Sequence, residues 1–427
     1  MSVFAAAATH APSDTSTLWL LVAAAMVLLM TPGLAFFYGG MVQAKSVINM
    51  MMMSFGAIAL VSVLWILYGY SMSFGVSGAD GRITDWAVPH LLLNPFANIG
   101  LHDYLPLHAD GTMSALNQGD AYSLAFVGFE ATFAIITVAL ISGAIADRAK
   151  FGSWMIFAGV WVTVVYFPVA SWVFSSGGWL KELGLHDFAG GTVIEINSGA
   201  AALALALVLG RRIGFTKGMV KPHNVPLTLI GAALLWFGWF GFNGGSAGAV
   251  NTTAALAWIN TLAAPAAATV GWLATEKLKD GKPTSIGAAS GAVTGLVAIT
   301  PSANVLTPMW ALVLGLIAGV LSCLAVELKW RLGFDDTLDV VGIHLVGGLT
   351  GTLFIGLVGA GIGLIDIGSL AQLGAQAVGC LAVGLYSFGV AYGIGWLLQK
   401  TIGFRITSQD ESAGVDTIVH GEESYAI

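Results

Sequence analysis

The sequence predicts an all-α polytopic membrane protein with eleven transmembrane helices. Of its 427 residues, 57% are hydrophobic and only 9% are charged, and the mean hydropathy is +0.84. A soluble domain carries roughly 25% charged residues, so this composition indicates a chain that faces lipid. The apolar runs are long and continuous, which is typical of membrane helices and not of the alternating strands of a membrane β-barrel.

Each predicted span is an apolar stretch of about 17 to 25 residues, the length that crosses the hydrocarbon layer. The spans are placed at 17–37, 47–75, 121–145, 152–175, 191–210, 227–243, 250–274, 284–300, 305–328, 341–365 and 373–399. The count depends most on 284–300, which is short and Gly-rich. Residues 1–400 are predicted to form one membrane domain, and residues 401–427 a soluble tail of mixed charge.

The charges between the spans support both the count and the orientation. If the N-terminus lies outside, the cytoplasmic segments hold 14 of the 16 basic residues, and only Arg82 and Lys181 lie outside. Positive residues prefer the cytoplasmic side, so we predict the N-terminus out and the C-terminus in. The cytoplasmic set is Lys45, Arg148, Lys150, Arg211, Arg212, Lys217, Lys221, Lys277, Lys279, Lys282, Lys329, Arg331, Lys400 and Arg405.

Several classes of function are disfavoured by what the chain lacks. Cys323 and Cys380 each stand alone in an apolar stretch, so neither a disulfide framework nor a metal site is expected. No basic stripe suited to nucleic acid occurs. No nucleophile–base set is evident, so we predict neither an enzyme nor a cofactor.

Two spans begin with a similar pattern. DFAGGTVIE runs from Asp187 to Glu195, and DTLDVVGIH runs from Asp336 to His344. In both, an ionisable group follows an aspartate by eight residues, and a glycine follows four residues later. Eight residues of helix span about 12 Å, which brings Glu195 and His344 towards the middle of the membrane.

This pattern suggests an internal repeat. Repeat one covers about 17–210, repeat two about 227–365, and a last helix about 373–399. Five spans is an odd number, so two such repeats insert in opposite senses and place a functional site near the midplane. The similarity is thin, and the residues alone leave the repeat open.

Glu130, Glu195 and His344 are ionisable residues well inside spans, which makes each a candidate functional residue. The alternative is a structural hydrogen bond between helices, or a carboxyl that stays neutral. A carboxylate beside an imidazole stabilises the imidazolium and selects its tautomer. Such a pair suits a solute that is charged in water but crosses as a neutral amine, and it suits a proton relay equally well.

Aromatic residues accompany these groups. Phe133 follows Glu130 by three residues and shares its helix face. The segment WFGWFGFNGGSAG, residues 236–248, places Trp239 and Phe242 on one face and ends near Ser246. Aromatic faces attract desolvated cations, and a hydroxyl adds an oxygen ligand, although ordinary packing explains an aromatic stripe as well.

Six ordered blocks show a family resemblance that covers nearly the whole chain. They are TPGLAFFYGG (31–40), ATFAIITVALISGAIADR (131–148), DFAGGTVIEINSGAAALALALVLGRR (187–212), GWFGFNGGSAG (238–248), GKPTSIGAASGAVTGLVAITP (281–301) and DVVGIHLVGG (339–348). With these blocks the chain resembles the ammonium transporters of the Amt/MEP/Rh superfamily. It is more similar to the Amt and MEP branches than to Rh.

The resemblance implies a homotrimer in the inner or plasma membrane, with one ammonium-conducting pore in each eleven-span subunit. It implies inverted repeats over spans one to five and six to ten. It also implies a cytoplasmic tail contacted by a regulatory protein of the PII class. The alternative function is an ammonium sensor that signals through this tail.

The resemblance also implies roles for individual residues. Phe133 and Ser246, with Trp239 nearby, match the outer recruitment vestibule, and Phe133 with Phe242 matches the stacked pair that gates the pore. Asp187 matches an acidic position that orders the start of span five, and Asp336 stands in the corresponding place before span ten. His344 matches one of two hydrogen-bonded pore histidines.

Three positions depart from the family pattern. Glu195 stands where the second pore histidine is usual, which leaves the path of the proton open. Ser175 stands where a vestibule tryptophan is usual, so we expect a more open mouth or one rebuilt from Phe174. Glu130 stands where a glutamine is commoner, either to attract cations near the mouth or to remain protonated.

Overall fold

The computed structural model describes residues 14–75, 83–104, 121–215 and 221–425. The prediction of eleven apolar helices long enough to cross a membrane is confirmed. In chain order, spans one to eleven are Asp14–Met41, Val47–Phe74, Ala121–Ile145, Phe151–Val173, Gly191–Leu209, Val225–Gly245, Thr252–Asp280, Ser285–Ser302, Pro308–Leu332, Val341–Val358 and Ala371–Thr401. The Gly-rich span eight is among them.

Short elements join the spans. Strands β1 and β2, Trp86–Val88 and Leu92–Leu93, form a small antiparallel hairpin between spans two and three. The short helices are Ile99–Tyr104, Trp179–Glu182, Leu364–Ile367, Ser408–Ala413 and Val415–His420.

Two predicted span boundaries were wrong by several residues. Span ten ends at Val358 and not at 365, because the glycines that follow leave the helix, with Gly361 at a φ of +72°. Span seven continues to Asp280 and not to 274, and it ends at Gly281 with a φ of +80°. Its last turn carries Lys277 and Lys279, whose charged ends suit a helix end that leaves the membrane.

Four spans contain a π-helical turn, a distortion often found at functional sites. Two turns lie inside spans two and four, at Trp65–Gly69 and Val162–Tyr166. The other two open spans five and ten, at Gly191–Ile196 and Val341–Leu345. The last two contain Glu195 and His344.

The spans pack around a buried centre. Span one packs against span six, and span five crosses the start of span ten. Span eleven covers span five from outside and presents large apolar side chains such as Leu381, Leu385 and Trp396 at its surface. A ring of helices with an apolar outer surface therefore surrounds the buried centre.

The tail is folded onto one side of the spans. The backbone N–H of Ile406 donates to the Arg148 carbonyl, and that of Lys150 donates to the Phe404 carbonyl. The buried carboxylate of Asp416 accepts the N–H groups of Ile48 and Asn49 at 3.0 and 2.8 Å, at the start of span two. We call this side of the molecule the tail face.

A buried ionic network joins three loops at the tail face. Arg212 binds Asp335 at 2.9 Å and Asp147 at 3.0 Å, and Arg148 donates to the backbone carbonyls of Ala144 and Asp335. Burial alone would raise the pKa of Asp335, but the hydrogen bonds and charges of Arg212 and Arg148 outweigh it and hold the pKa below its ordinary value. The network fixes the loops before spans four, six and ten relative to one another.

We predict that Arg212→Gln destabilises the protein strongly, because it leaves Asp335 buried without its main counter-charge. The loss is expected to be about 3 to 5 kcal/mol, as for other broken buried ion pairs. Arg211→Gln is the matched control, because the more exposed Arg211 donates to the Gly333 carbonyl and forms no described ion pair. Thermal unfolding of the purified variants checks this, and equal losses for both would contradict it.

Candidate functional site

Glu195 and His344 meet at the centre of the fold. His344 Nδ1 and Glu195 Oε2 are joined by a hydrogen bond of 2.6 Å, and the two side chains are 3% and 0% exposed respectively. Each belongs to the π-helical turn that opens its span, and the two spans start at opposite faces. A charge-assisted bond of this length in a buried site selects one tautomer of the imidazole.

Two glycines allow the backbones of spans five and ten to cross closely enough for this bond. A Cβ on Gly199 would lie 2.5 Å from the Leu345 nitrogen. A Cβ on Gly348 would lie 2.9 Å from the Cβ of Glu195 and 3.2 Å from the Gly191 carbonyl oxygen. Any side chain at either position would push the spans apart.

Aspartates anchor both π-helical turns. The Asp187 carboxylate accepts the N–H groups of Gly190, Gly191 and Thr192 at 2.8, 2.7 and 2.7 Å, and also the Thr192 hydroxyl. Asp336 Oδ2 accepts the Val341 N–H at 2.7 Å. Carboxylates satisfy the free N–H groups of a helix start and complement its positive end.

A stacked pair of rings lies beside the buried polar pair. Phe133 and Phe242 have centroids 4.0 Å apart and planes 14° apart. The indole of Trp239 lies 5.4 Å from the Phe242 ring, and its Nε1–H donates to Thr300 Oγ1 at 2.8 Å. The Ser246 hydroxyl donates to the Phe242 carbonyl at 2.8 Å, so its oxygen keeps acceptor capacity.

A narrow cavity leads from these rings to the buried pair. Its wall is almost wholly apolar, with Glu195 and His344 as the only ionisable residues in it. The lining residues are Met30, Leu34, Phe37, Ile136, Leu140, Ile194, Glu195, Leu235, Trp239, Phe242, Val293 and His344. Such a wall has almost no ligands to replace the hydration shell of an ion. A small neutral molecule with hydrogen-bonding groups loses less hydration and can bond to a ring nitrogen of His344.

Two further predicted positions lie near the end of span four, and Glu130 is buried in span three. Ser175 is buried, and its hydroxyl donates to the Ser73 carbonyl at 2.5 Å, so its side chain faces protein. Phe174 is half-buried, and its carbonyl accepts from Lys181 Nζ at 2.5 Å. Burial lowers the pKa of Lys181 to about 8.

Sequence reasoning missed some of the residues that position the site. Thr300 orients the indole of Trp239, and it lies in the quoted block 281–301 without any sign of that contact. Asp147, just after span three, is buried against Arg212. Neither partner is adjacent in sequence, so only the folded chain identifies them.

The profile of the Ammonium Transporter Family matches residues 18–425. The chain belongs to this family. It is 49% identical over 442 residues to the ammonium transporter of Mycobacterium tuberculosis strain H37Rv, covering 97% of this chain and 91% of the relative. It is a multi-pass membrane protein whose relatives are named for ammonium transport.

Solved structures give the same assignment. One described as a sensor Amt protein has a TM-score of 0.85 at 30% identity and covers 95% of this chain and 98% of its own. Mep2 of Saccharomyces cerevisiae has a TM-score of 0.81 at 30% identity, covering 94% of this chain and 92% of its own. The ammonium transporter family fold thus extends over nearly all of the chain.

We predict that Gly199→Ala greatly reduces ammonium uptake, because its Cβ separates spans five and ten and lengthens the Glu195–His344 bond. Gly389→Ala in span eleven is the matched control, since a Cβ there meets nothing within 4 Å. Uptake into liposomes with purified protein checks this. Normal uptake by Gly199→Ala would show that the close crossing is dispensable.

We predict a pH-dependent effect of Asp336→Asn. Burial raises the pKa of Asp336 to about 6, with the Lys329 charge opposing this rise and Asp339 adding to it. The native state therefore holds this proton more tightly than the unfolded chain, and the stability it contributes is lost as the pH rises through 6. The melting temperature of Asp336→Asn relative to wild type should increase from pH 5 to pH 7, and a constant difference would contradict this.

Proposed function

We propose that this ammonium transporter recruits ammonium at an outer aromatic vestibule, deprotonates it near Phe133 and Phe242, and conducts ammonia past Glu195 and His344. The observation that carries the proposal is the Glu195–His344 hydrogen bond at the wall of an apolar cavity. An ion in that cavity loses its hydration without gaining ligands. Ammonia loses much less hydration free energy on entering the cavity, because it is neutral and small.

The polar pair gives ammonia a hydrogen-bonding partner inside the apolar cavity. His344 Nδ1 is occupied by Glu195, so Nε2 is the ring nitrogen that remains for the cavity. In this tautomer Nε2 accepts a hydrogen bond from ammonia or takes a proton. The Glu195 carboxylate stabilises the imidazolium that would result, so the pair supports either orientation of ammonia or transfer of the proton.

Recruitment depends on the aromatic side of the site. The face of Phe133 attracts a partly desolvated ammonium ion, and the Ser246 oxygen accepts one of its protons. Trp239, which the resemblance places near this vestibule, lines the cavity that also holds Glu195 and His344. The stacked rings of Phe133 and Phe242 close the way inwards, so passage requires a ring to rotate. Ammonium that gives up its proton here continues as ammonia, and the proton either follows separately through the pore or returns to the water outside.

The proposal includes two inverted repeats. Asp187 and Asp336, Glu195 and His344, and Gly199 and Gly348 are each separated by 149 residues. Matching caps, matching π-helical turns and matching crossing glycines support a common origin for the two halves. We place the N-terminus outside and the tail face in the cytoplasm of a cell membrane, as the basic residues favour.

We further propose a homotrimer and a cytoplasmic PII-type partner, on the ground of family membership. Each subunit would keep its own pore, since the cavity lies within one chain. The domain boundaries follow the fold, with the membrane domain to about residue 400 and the tail packed on its cytoplasmic side. A sensing role has less support, because the M. tuberculosis relative, matched over almost its full length, is named a transporter.

We predict that Glu195→Ala lowers the ammonium-evoked current at least about tenfold, because it leaves His344 buried without its hydrogen-bond acceptor. Current and uptake are measured together on purified protein in liposomes. The exposed Glu182→Ala is the matched control for loss of a carboxylate. An unchanged current in Glu195→Ala would overturn the role of this pair.

Glu195→His tests whether transport depends on the negative charge of the Glu195 carboxylate. Two imidazoles still form a hydrogen bond, so transport should continue. Its pH dependence should shift, because an imidazole replaces a group with a much lower ordinary pKa. Identical pH profiles for the variant and wild type would rule out a protonation role for Glu195.

A further inference from the structure

Asn197 is a polar residue of span five that the pore described above does not use. It is fully buried and follows Glu195 by two residues, where the π-helical turn Gly191–Ile196 gives way to regular α-helix. Its side-chain amide donates to the Val193 carbonyl at 3.0 Å. The amide oxygen has no hydrogen-bond partner in the described part of the chain, so the bond to Val193 sets which way the amide faces.

This bond replaces one that a regular α-helix would make. The backbone N–H of Asn197 donates to the carbonyls of Thr192 and Ile194, which lie five and three residues before it. In an α-helix its partner would be the carbonyl four residues before it, which is that of Val193. The side-chain amide of the same residue donates to that carbonyl instead. Because a buried carbonyl is costly without a donor, the amide favours the π-helical turn over a regular one.

Two hydroxyls hold the same stretch of span five. The buried Ser387 of span eleven donates to the Asn197 carbonyl at 2.7 Å, and Ser198 donates to the Glu195 carbonyl at 3.2 Å. The first bond ties the end of the turn to a neighbouring span, and the second ties it to the helix that follows. Side chains that donate to helix carbonyls in this way change the local helix geometry.

The register of this turn decides whether Glu195 meets His344. A π-helical turn contains about one residue more than an α-helical turn, and one residue corresponds to about 100° of rotation. Relaxing the turn to α-helix would therefore rotate Glu195 relative to Gly199, at which span five crosses span ten. The carboxylate would then point away from the imidazole with which it forms its 2.6 Å hydrogen bond.

The second repeat has a different residue at the corresponding place. Val346 lies 149 residues after Asn197, and its backbone N–H likewise donates to the carbonyls five and three residues before it. Its apolar side chain cannot donate to the carbonyl between them. A side-chain amide thus holds the turn that carries Glu195, and the turn that carries His344 is not held in this way.

We propose that Asn197 is a positioning residue for transport, which holds the π-helical turn of span five in the register that directs Glu195 at His344. Ser387 supports it by fixing its backbone. The inference rests on the proposed function, because it takes the Glu195–His344 pair as the site that conducts ammonia. Loss of the amide slows conduction, whereas recruitment of ammonium at the outer vestibule is unchanged.

Asn197→Val and Asn197→Thr test this as a pair. The two new side chains have the same shape, but only threonine can donate to the Val193 carbonyl, as Thr137 and Thr275 donate to carbonyls four residues before them. In liposomes with purified protein, Asn197→Val should lower the maximal rate of ammonium uptake about tenfold, with KM within about twofold of wild type. Asn197→Thr should restore the maximal rate to within about threefold of wild type.

Thr275→Val is the control for loss of a similar bond elsewhere. Thr275 donates to the Gly271 carbonyl at 2.8 Å in span seven, which contributes no residue to the described cavity wall, so uptake should equal that of wild type. Nitrogen NMR of ¹⁵N-histidine-labelled protein adds a readout that a general loss of stability would not move. The His344 signals should shift in Asn197→Val as in Glu195→Ala, and return towards wild type in Asn197→Thr.

Equal maximal rates and equal His344 signals in Asn197→Val and Asn197→Thr would overturn the inference, because the two variants differ in the donor alone. If Asn197→Val does not unfold cooperatively, Ser387→Ala decides by the same readouts. Its maximal rate should fall about twofold to fivefold, and an unchanged rate with unchanged His344 signals would overturn the inference.

Failure of this inference leaves the proposed function intact if the wild type takes up ammonium and Glu195→Ala is impaired. Absence of ammonium uptake by the wild type would instead overturn the proposed function itself.

Discussion

The structure depends on one hydrogen bond, between the buried carboxylate of Glu195 and the imidazole of His344. Neither group is stable alone in an apolar interior, so each requires the other. Their spans must cross without side chains between them, which places glycine at 199 and 348. Their helix starts must lie inside the fold, and the carboxylates of Asp187 and Asp336 satisfy the N–H groups exposed there.

The same constraint explains why the two sides of the stacked rings differ in how they treat charge. In the path that we propose, a positive charge is stabilised near the aromatic faces and is disfavoured in the apolar cavity that follows. The stacked rings of Phe133 and Phe242 separate these two environments. At the tail face the Arg212 network and the docked tail hold the loops before spans four, six and ten, and so keep the crossing of spans five and ten in register.

The sequence predicted the spans well because hydropathy acts locally, and span length is set by the bilayer. It also singled out Glu195 and His344, since ionisable residues in apolar runs are rare. It did not predict the π-helical turns, the contact of Thr300 with Trp239 or the packing of the tail, because these depend on contacts between distant segments. In that tail, backbone N–H groups and Arg405 compensate the carboxylates of Asp416 and Glu411 inside the fold.

The central claim is that Glu195 accepts a proton-bearing Nδ1 of His344 and so selects its tautomer. Nitrogen NMR of protein labelled with ¹⁵N-histidine measures this most directly, with the His344 signals assigned by their loss in His344→Asn. The account predicts a proton bound to Nδ1 in wild type, and a change in the Nδ1 and Nε2 shifts in Glu195→Ala. A wild-type His344 with its proton on Nε2 and none on Nδ1 would contradict it.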